Sequence, residues 1–146
     1  MGKLKQDIDE MSDWIARALR SSNYRTNFTP QSLWDIDLFF DDHGQNGAPK
    51  PGGLLSEQLG PRLFGLGAYV GEVIRRSVGG EWHTDDAEPR GEINVALKLP
   101  DGSVIWPVQR VMKRLKNGPE EAIAAYGLFC GLQVGPKPAP FSPYRG

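Results

Sequence analysis

Apolar residues recur at helical spacing over several long stretches of the chain and alternate with polar ones over a single short stretch. Leu4, Ile8, Met11, Ile15 and Ala18 keep a period near 3.6, with Trp14 at the stripe's edge, predicting an amphipathic helix from Leu4 to Leu19. Ser21-Ser22-Asn23 breaks it. Thr29-Pro30 then provides an N-cap type and a proline suited to a first turn, so a second helix is expected through Leu33, Ile36, Phe39 and Phe40. Gly44 to Gly53, GQNGAPKPGG, reads as a flexible loop inside one domain.

The stretch from Leu59 to Trp82 organises the rest. Leu59, Leu63, Leu66, Val70, Val73, Ile74 and Val78 share one broad helical face, with Arg62, Tyr69, Glu72 and Arg76 opposite. Pro61 lies near its start, and Gly79-Gly80 follows its last periodic residue, where a left-handed stop is expected. Gly65, Gly67 and Gly71 are spaced G-x-G-x-x-x-G with no preceding strand, which excludes a dinucleotide-binding turn. Each glycine costs a helix about 1 kcal/mol relative to alanine. Gly67 and Gly71, one turn apart, therefore predict that another element approaches the helix backbone closely.

Beyond Trp82 the period changes from helical to alternating. Ile93, Val95, Leu97 and Leu99 alternate with Glu92, Asn94, Ala96 and Lys98; Pro100-Asp101-Gly102 is turn chemistry; Val104 to Trp106 returns. Glu81 to Thr84 is a shorter strand, joined to the hairpin by the acidic loop Asp85 to Arg90. Pro107 opens a helix with Val108, Val111, Met112 and Leu115 inward and Arg110, Lys113, Arg114 and Lys116 outward. A last helix is expected from Glu120 to Leu132, with Ile123, Tyr126 and Phe129 or Cys130 inward. Gly135 to Gly146 carries four prolines and reads as an extended tail, with a P-x-x-P arrangement at Pro140 to Pro143 and Phe141 and Tyr144 beside it. The expected fold is α+β: about five helices on one face of a three-stranded antiparallel meander, as one domain over 1–134 with a tail over 135–146.

Length and charge narrow the function classes. A chain of 146 residues buries a core without metal or disulfide help. The net charge of -1 argues against an overall field built to hold nucleic acid or an anionic membrane. The lone Cys130 excludes an internal disulfide and reads as an inert buried thiol on the apolar side of a terminal helix, in a reducing, cytoplasmic setting. The charged opening Lys3-Leu4-Lys5-Gln6-Asp7 is unlike a signal peptide, and the longest uncharged run, Leu63 to Gly71, is too short to cross a bilayer.

Gly67-x-Tyr69-x-Gly71-Glu72, followed by a short basic stretch, Gly79-Gly80-x-Trp82, a hairpin and a Pro-led helix, resembles an uncharacterised bacterial family of small domains of unknown function. The resemblance covers the central and C-terminal two-thirds of the chain. It implies a compact α+β fold in a bacterial cytosol and brings no catalytic residues with it. By analogy, some small domains of this kind act as immunity partners of secreted toxins.

The chain has no nucleophile elbow, metalloprotease helix or P-loop, and its only histidines are His43 and His83. No catalytic, cofactor or metal site is expected. Asp35, Asp37, Asp41 and Asp42 with His43 lack calcium-loop spacing and read as a solvated helix face. Together with Asp85, Asp86 and Glu88 they form a candidate acidic surface for a basic protein partner. The leading expectation is therefore an interaction protein, with toxin neutralisation as its specific form. The alternative is a small-ligand binder or enzyme built on Tyr69, Glu72 and Arg76, with Trp82, His83 and Asn94 nearby. Glu72 would be its base, although a carboxylate one turn from Arg76 more naturally forms an ion pair. A third reading places nucleic acid on the basic face Arg110 to Lys116, with Trp82 or Trp106 to stack on bases.

Overall fold

The computed structural model describes residues 2–138. In chain order it contains α1 (Lys3–Arg20), a 3-10 turn (Pro30–Ser32), α2 (Leu33–His43), β1 (Gly44–Gln45) and β2 (Ala48–Pro49). There follow α3 (Leu59–Val78), β3 (Glu81–His83), β4 (Ala96–Lys98), β5 (Val104–Ile105), α4 (Pro107–Asn117), a second 3-10 turn (Gly118–Glu121) and α5 (Ile123–Phe129). The fold is mixed α+β with two antiparallel sheets, one of two strands and one ordered β3-β4-β5. No helix among the described residues is long and apolar enough to cross a membrane.

The first sheet corrects the reading of 44–53 as a structureless loop. Gly44 pairs with Pro49 and Gln45 with Ala48. Between them Asn46 and Gly47 both take positive φ, 54° and 79°. An Asn-Gly pair adopts that mirror-image turn at little cost, and the turn's twist matches the strands it joins. The dipeptide was the local signal.

In the second sheet Trp82, Leu97 and Ile105 are register partners across the three strands, and all three are buried. The alternating run from Ile93 is strand only from Ala96. The amides of Ile93 and Asn94 both donate to Arg90 O, closing a turn where the apolar rhythm alone predicted extension.

α3 runs through the middle. Every residue from Leu63 to Ile74 is buried, Tyr69 and Glu72 included, so the polar stripe opposite the apolar face is packed as well. α1 packs along one side of it and α4 along another. The glycines make this possible. A methyl at Gly65 would lie 2.5 Å from Ile15 Cγ1 on α1; one at Gly67 would lie 2.5 Å from Val108 Cα on α4. At Gly71 it would lie 2.2 Å from the Trp82 ring. Burying a tryptophan's 150–250 Å² is worth roughly 4–6 kcal/mol at 25 cal/mol per Å², well above the ~1 kcal/mol a helical glycine costs. Packing therefore outweighs propensity at this position.

α5 is shorter than expected. The 3-10 turn and the extended Ala122 (ψ 132°) occupy its predicted first turn, and the helix ends at Phe129. Its buried residues are Ile123, Ala124, Tyr126 and Gly127, with Gly127 set against Leu33 of α2. At 100° per residue, that phase turns Phe129 outward. Downstream, Leu132 and Val134 are buried, and Trp34 Nε1 donates to the carbonyls of Val134 and Gly135. The P-x-x-P arrangement, Phe141 and Tyr144 lie outside the described residues.

Candidate functional site

The polar stripe of α3 is built into the interior. Glu72 is 2% exposed, and its carboxylate accepts hydrogen bonds from Arg75 Nε (2.6 Å), Arg75 Nη2 (2.9 Å), Arg76 Nε (3.3 Å) and Trp82 Nε1 (2.8 Å). Burial pushes its pKa up, but the bonds from Arg75 and Trp82 and the charges of Arg75 and Arg76 outweigh it, and the net direction is down. A carboxylate so satisfied is a poor proton acceptor at neutral pH. Its role is to join the end of α3 to β3 through the Trp82 indole.

Tyr69 is equally occupied. Its hydroxyl lies 2.6 Å from Ser32 Oγ and accepts the Phe28 amide at 3.0 Å. Ser32 donates its single hydroxyl hydrogen to Thr29 O, so Tyr69 is the donor in the Tyr69–Ser32 bond. Burial raises the Tyr69 pKa. Phe28 holds a left-handed φ of 63°, its ring 4.8 Å from that of Tyr69 and covered by the Arg76 guanidinium at 3.8 Å. His83 and Asn94 are exposed, and no hydrogen bond joins either of them to Glu72. The six residues of the predicted ligand site thus divide into an anchoring core and two separate surface positions.

The acidic surface is corrected in the same way. Asp35, Asp37 and Asp42 are buried, not solvated. Asp35 accepts from the backbone amide and Nε of Arg25, and Asp42 from the Tyr24 hydroxyl at 2.6 Å. Asp37 receives Arg114 Nε at 2.9 Å and the amides of Ile123 (2.7 Å) and Ala124 (2.9 Å), so it caps α5 from α2. Asp41 is exposed and holds Arg114 Nη2 at 2.8 Å. In the second group, Asp85 and Glu88 are exposed, while Asp86, also exposed, accepts the amides of Lys3 and Leu4 at 2.9 Å each and so caps α1. Among the described residues no group of three or more His, Cys, Asp or Glu is placed to hold a metal ion. His43 is buried with Nδ1 accepting the Leu54 amide, and burial lowers its pKa.

Arg114 is the corresponding correction on the basic face: predicted outward, it is 3% exposed and paired with Asp37 and Asp41. Arg110 is also engaged, stacked over the Tyr126 ring at 4.6 Å and ion-paired with Glu121.

The surface that remains available is apolar. Val104, Trp106 and Tyr126 line a groove of about 220 Å³ with Phe129, Arg110 and Lys113 at its sides. Phe129 is 87% exposed, Leu128 beside it 63% and Trp106 45%. Sequence reasoning named Trp106 but missed Phe129, because it set the inward face of the last helix by Ile123, Tyr126 and Phe129 or Cys130. Small residues at Ala124 and Gly127 mark the packed side and would have put Phe129 opposite. Cys130, just beyond, is half-buried and its thiol pKa is raised by burial, which disfavours a nucleophilic thiolate. No protein-family model, curated protein or solved structure matches the chain.

Proposed function

We propose that this chain is a protein-interaction module that docks its partner on the face formed by β5, the outer side of α4 and the end of α5. The observation that carries this reading is the exposure of Phe129 at the side of the Trp106–Tyr126 groove. Exposed aromatic residues around a groove are what binding hot spots are made of, and an unpartnered cluster of them is costly to leave in water. Lys113 makes no ion pair among the described residues, so a partner with an apolar anchor flanked by acidic side chains suits this face. That reverses the sign of partner expected from Asp35 and Asp37, which are buried and paired with Arg25 and Arg114. Toxin neutralisation is the narrower form of the same proposal, and it requires a partner that loses an activity when bound.

Base stacking on Trp106 and Phe129 is the competing use of such a face. It is disfavoured because Arg110 and Arg114 are already paired with acids, leaving few cations for phosphates. The test is capture from the native host with wild-type protein and with a Trp106→Ala/Phe129→Ser variant. A stoichiometric partner held by the first and lost by the second is expected. A partner retained equally by both refutes the proposal, and a shift of single-stranded DNA that weakens steeply with salt would favour the competing use.

A further inference from the structure

Residues 50–58 connect β2 to α3 without regular structure, yet Leu55 among them is fully buried. Within the stretch, the amides of Gly53 and Ser56 close turns on Lys50 O and Gly53 O. Toward the body of the fold, the Lys50 amide donates to His43 O at 2.8 Å, the Leu54 amide donates to His43 Nδ1 at 3.0 Å, and Leu54 O accepts Arg62 Nη1. Two of these bonds end on His43, the last residue of α2. The connection also rests on that ring, since a methyl at Gly53 would lie 3.0 Å from Nδ1.

A ring nitrogen that accepts an amide N–H carries no proton, so neutral His43 is fixed as the tautomer with its proton on Nε2. The imidazolium form has N–H donors at both positions. Protonation at Nδ1 therefore turns an acceptor into a donor and sets two N–H groups head to head. We propose that His43 is an acid-sensitive latch, whose protonation breaks the Nδ1–Leu54 bond and releases residues 50–58 from the ends of α2 and α3. Release uncovers Leu55 and lifts Leu54 from the apolar groove it shares with Trp14, Ile15, Phe39 and Leu66. The ring is 2% exposed, 4.7 Å from the Phe39 ring and 6.4 Å from that of Tyr24. Asp42 on α2 favours the charged ring but is engaged by the Tyr24 hydroxyl; Lys50 on the connection opposes it, and Arg62 of α3 stands beyond Leu54 O. Burial outweighs Asp42, so the latched ring resists the proton and the released ring takes it. Acid thus favours the open form, and the connection is closed above pH 6.5. None of these residues belongs to the aromatic face, so either reading can fail without the other.

The experiment is amide hydrogen exchange of the wild-type protein, read as protection factors relative to an unstructured chain at each pH. From pH 7.5 to 5.5 the Leu54 protection factor should fall about tenfold, because release restores the imidazole to its ordinary value near 6.5. Leu54 should be less protected than Val70 in α3 and, unlike Val70, keep its protection in about 1 M urea, since local release exposes little surface. His43→Asn places a non-titrating acceptor near the position of Nδ1 and should leave Leu54 protection flat over that range. A change of less than about twofold in wild type, a His43→Asn protein that keeps the fall, or Leu54 opening only together with Val70 would each overturn the inference. The carbon and nitrogen shifts of the wild-type ring decide the matter even if His43→Asn does not fold. A proton on Nε2 at pH 7.5 is expected, and a proton on Nδ1 rules the latch out.

Discussion

Replacing Asp37 with alanine removes the group that holds three helices in register. Its carboxylate belongs to α2, its ion-pair partner Arg114 to α4, and the two amides it accepts to the first turn of α5. Arg114 is 3% exposed, so removing Asp37 leaves a buried guanidinium with the half-solvated Asp41 and the Asp37 backbone carbonyl as its remaining partners. Breaking one side of a buried pair costs about 3–5 kcal/mol. Each orphaned amide adds roughly 1 kcal/mol where it stays out of water. These terms overlap, so the expected loss is about 4 kcal/mol, a large part of the 5–15 kcal/mol that stabilises a typical domain. In urea at pH 7, with a slope near 2 kcal/mol per molar, the midpoint should fall by roughly 2 M.

Two controls separate the causes. Asp41→Ala, at an exposed position, should cost under about 1 kcal/mol. Asp37→Leu with Arg114→Met removes both charges and should recover at least half of the loss, because no charge is then left buried alone. An Asp37→Ala protein within about 1 kcal/mol of wild type would refute the reasoning. So would a double variant as unstable as the single one, since it would show that capping and not charge carries the effect.

Gly71→Ala gains about 1 kcal/mol of helix propensity but drives a methyl to 2.2 Å from the Trp82 ring, and overpacking of about 1–3 kcal/mol should win. A thermal melt at or above wild type would contradict this. His43 is held below its ordinary 6.5 by burial, so the unfolded chain protonates first on acidification. Stability should be complete above pH 6.5 and fall as pH drops through the folded value. Urea melts between pH 7.5 and 5, above the range where Glu72 titrates, should show that slope, and His43→Gln should flatten it. Phe129→Ser should leave stability within about 0.5 kcal/mol of wild type, since that side chain is 87% exposed, whereas Trp106→Ala removes a half-buried ring and should cost about 1–3 kcal/mol. A larger loss by Phe129→Ser would mean that Phe129 belongs to the packing and not to a docking face.

Much of the fold was legible because it depends on local periodicity. α1, α3, the Pro-led α4 and the antiparallel order of β3, β4 and β5 all follow from apolar spacing, turn residues and proline placement. The glycine spacing also announced a close approach to α3, though only the structure named Val108 and Trp82 as the elements that approach. What failed was the placement of a few charged residues: Lys113, Lys116, Asp85 and Glu88 are exposed as expected, but others are not. Asp35, Asp37, Asp42 and Arg114 were read as solvated because ionised groups avoid apolar surroundings, and a helical wheel shows no partner from another element; the Glu72–Arg76 ion pair, one turn apart on the same helix, was legible.

The residues that satisfy those charges lie far along the chain: Arg114 reaches Asp37 across 77 positions and Asp86 caps α1 across 82 and 83. Sequence alone determined the rhythm of the elements, since backbone preference and amphipathic period are short-range properties. Tertiary structure alone decided which charges are neutralised inside and which aromatic residues are left outside. Burial of a charge depends on a counter-charge brought to it through space, and neither distance nor direction to that group is written in its neighbours.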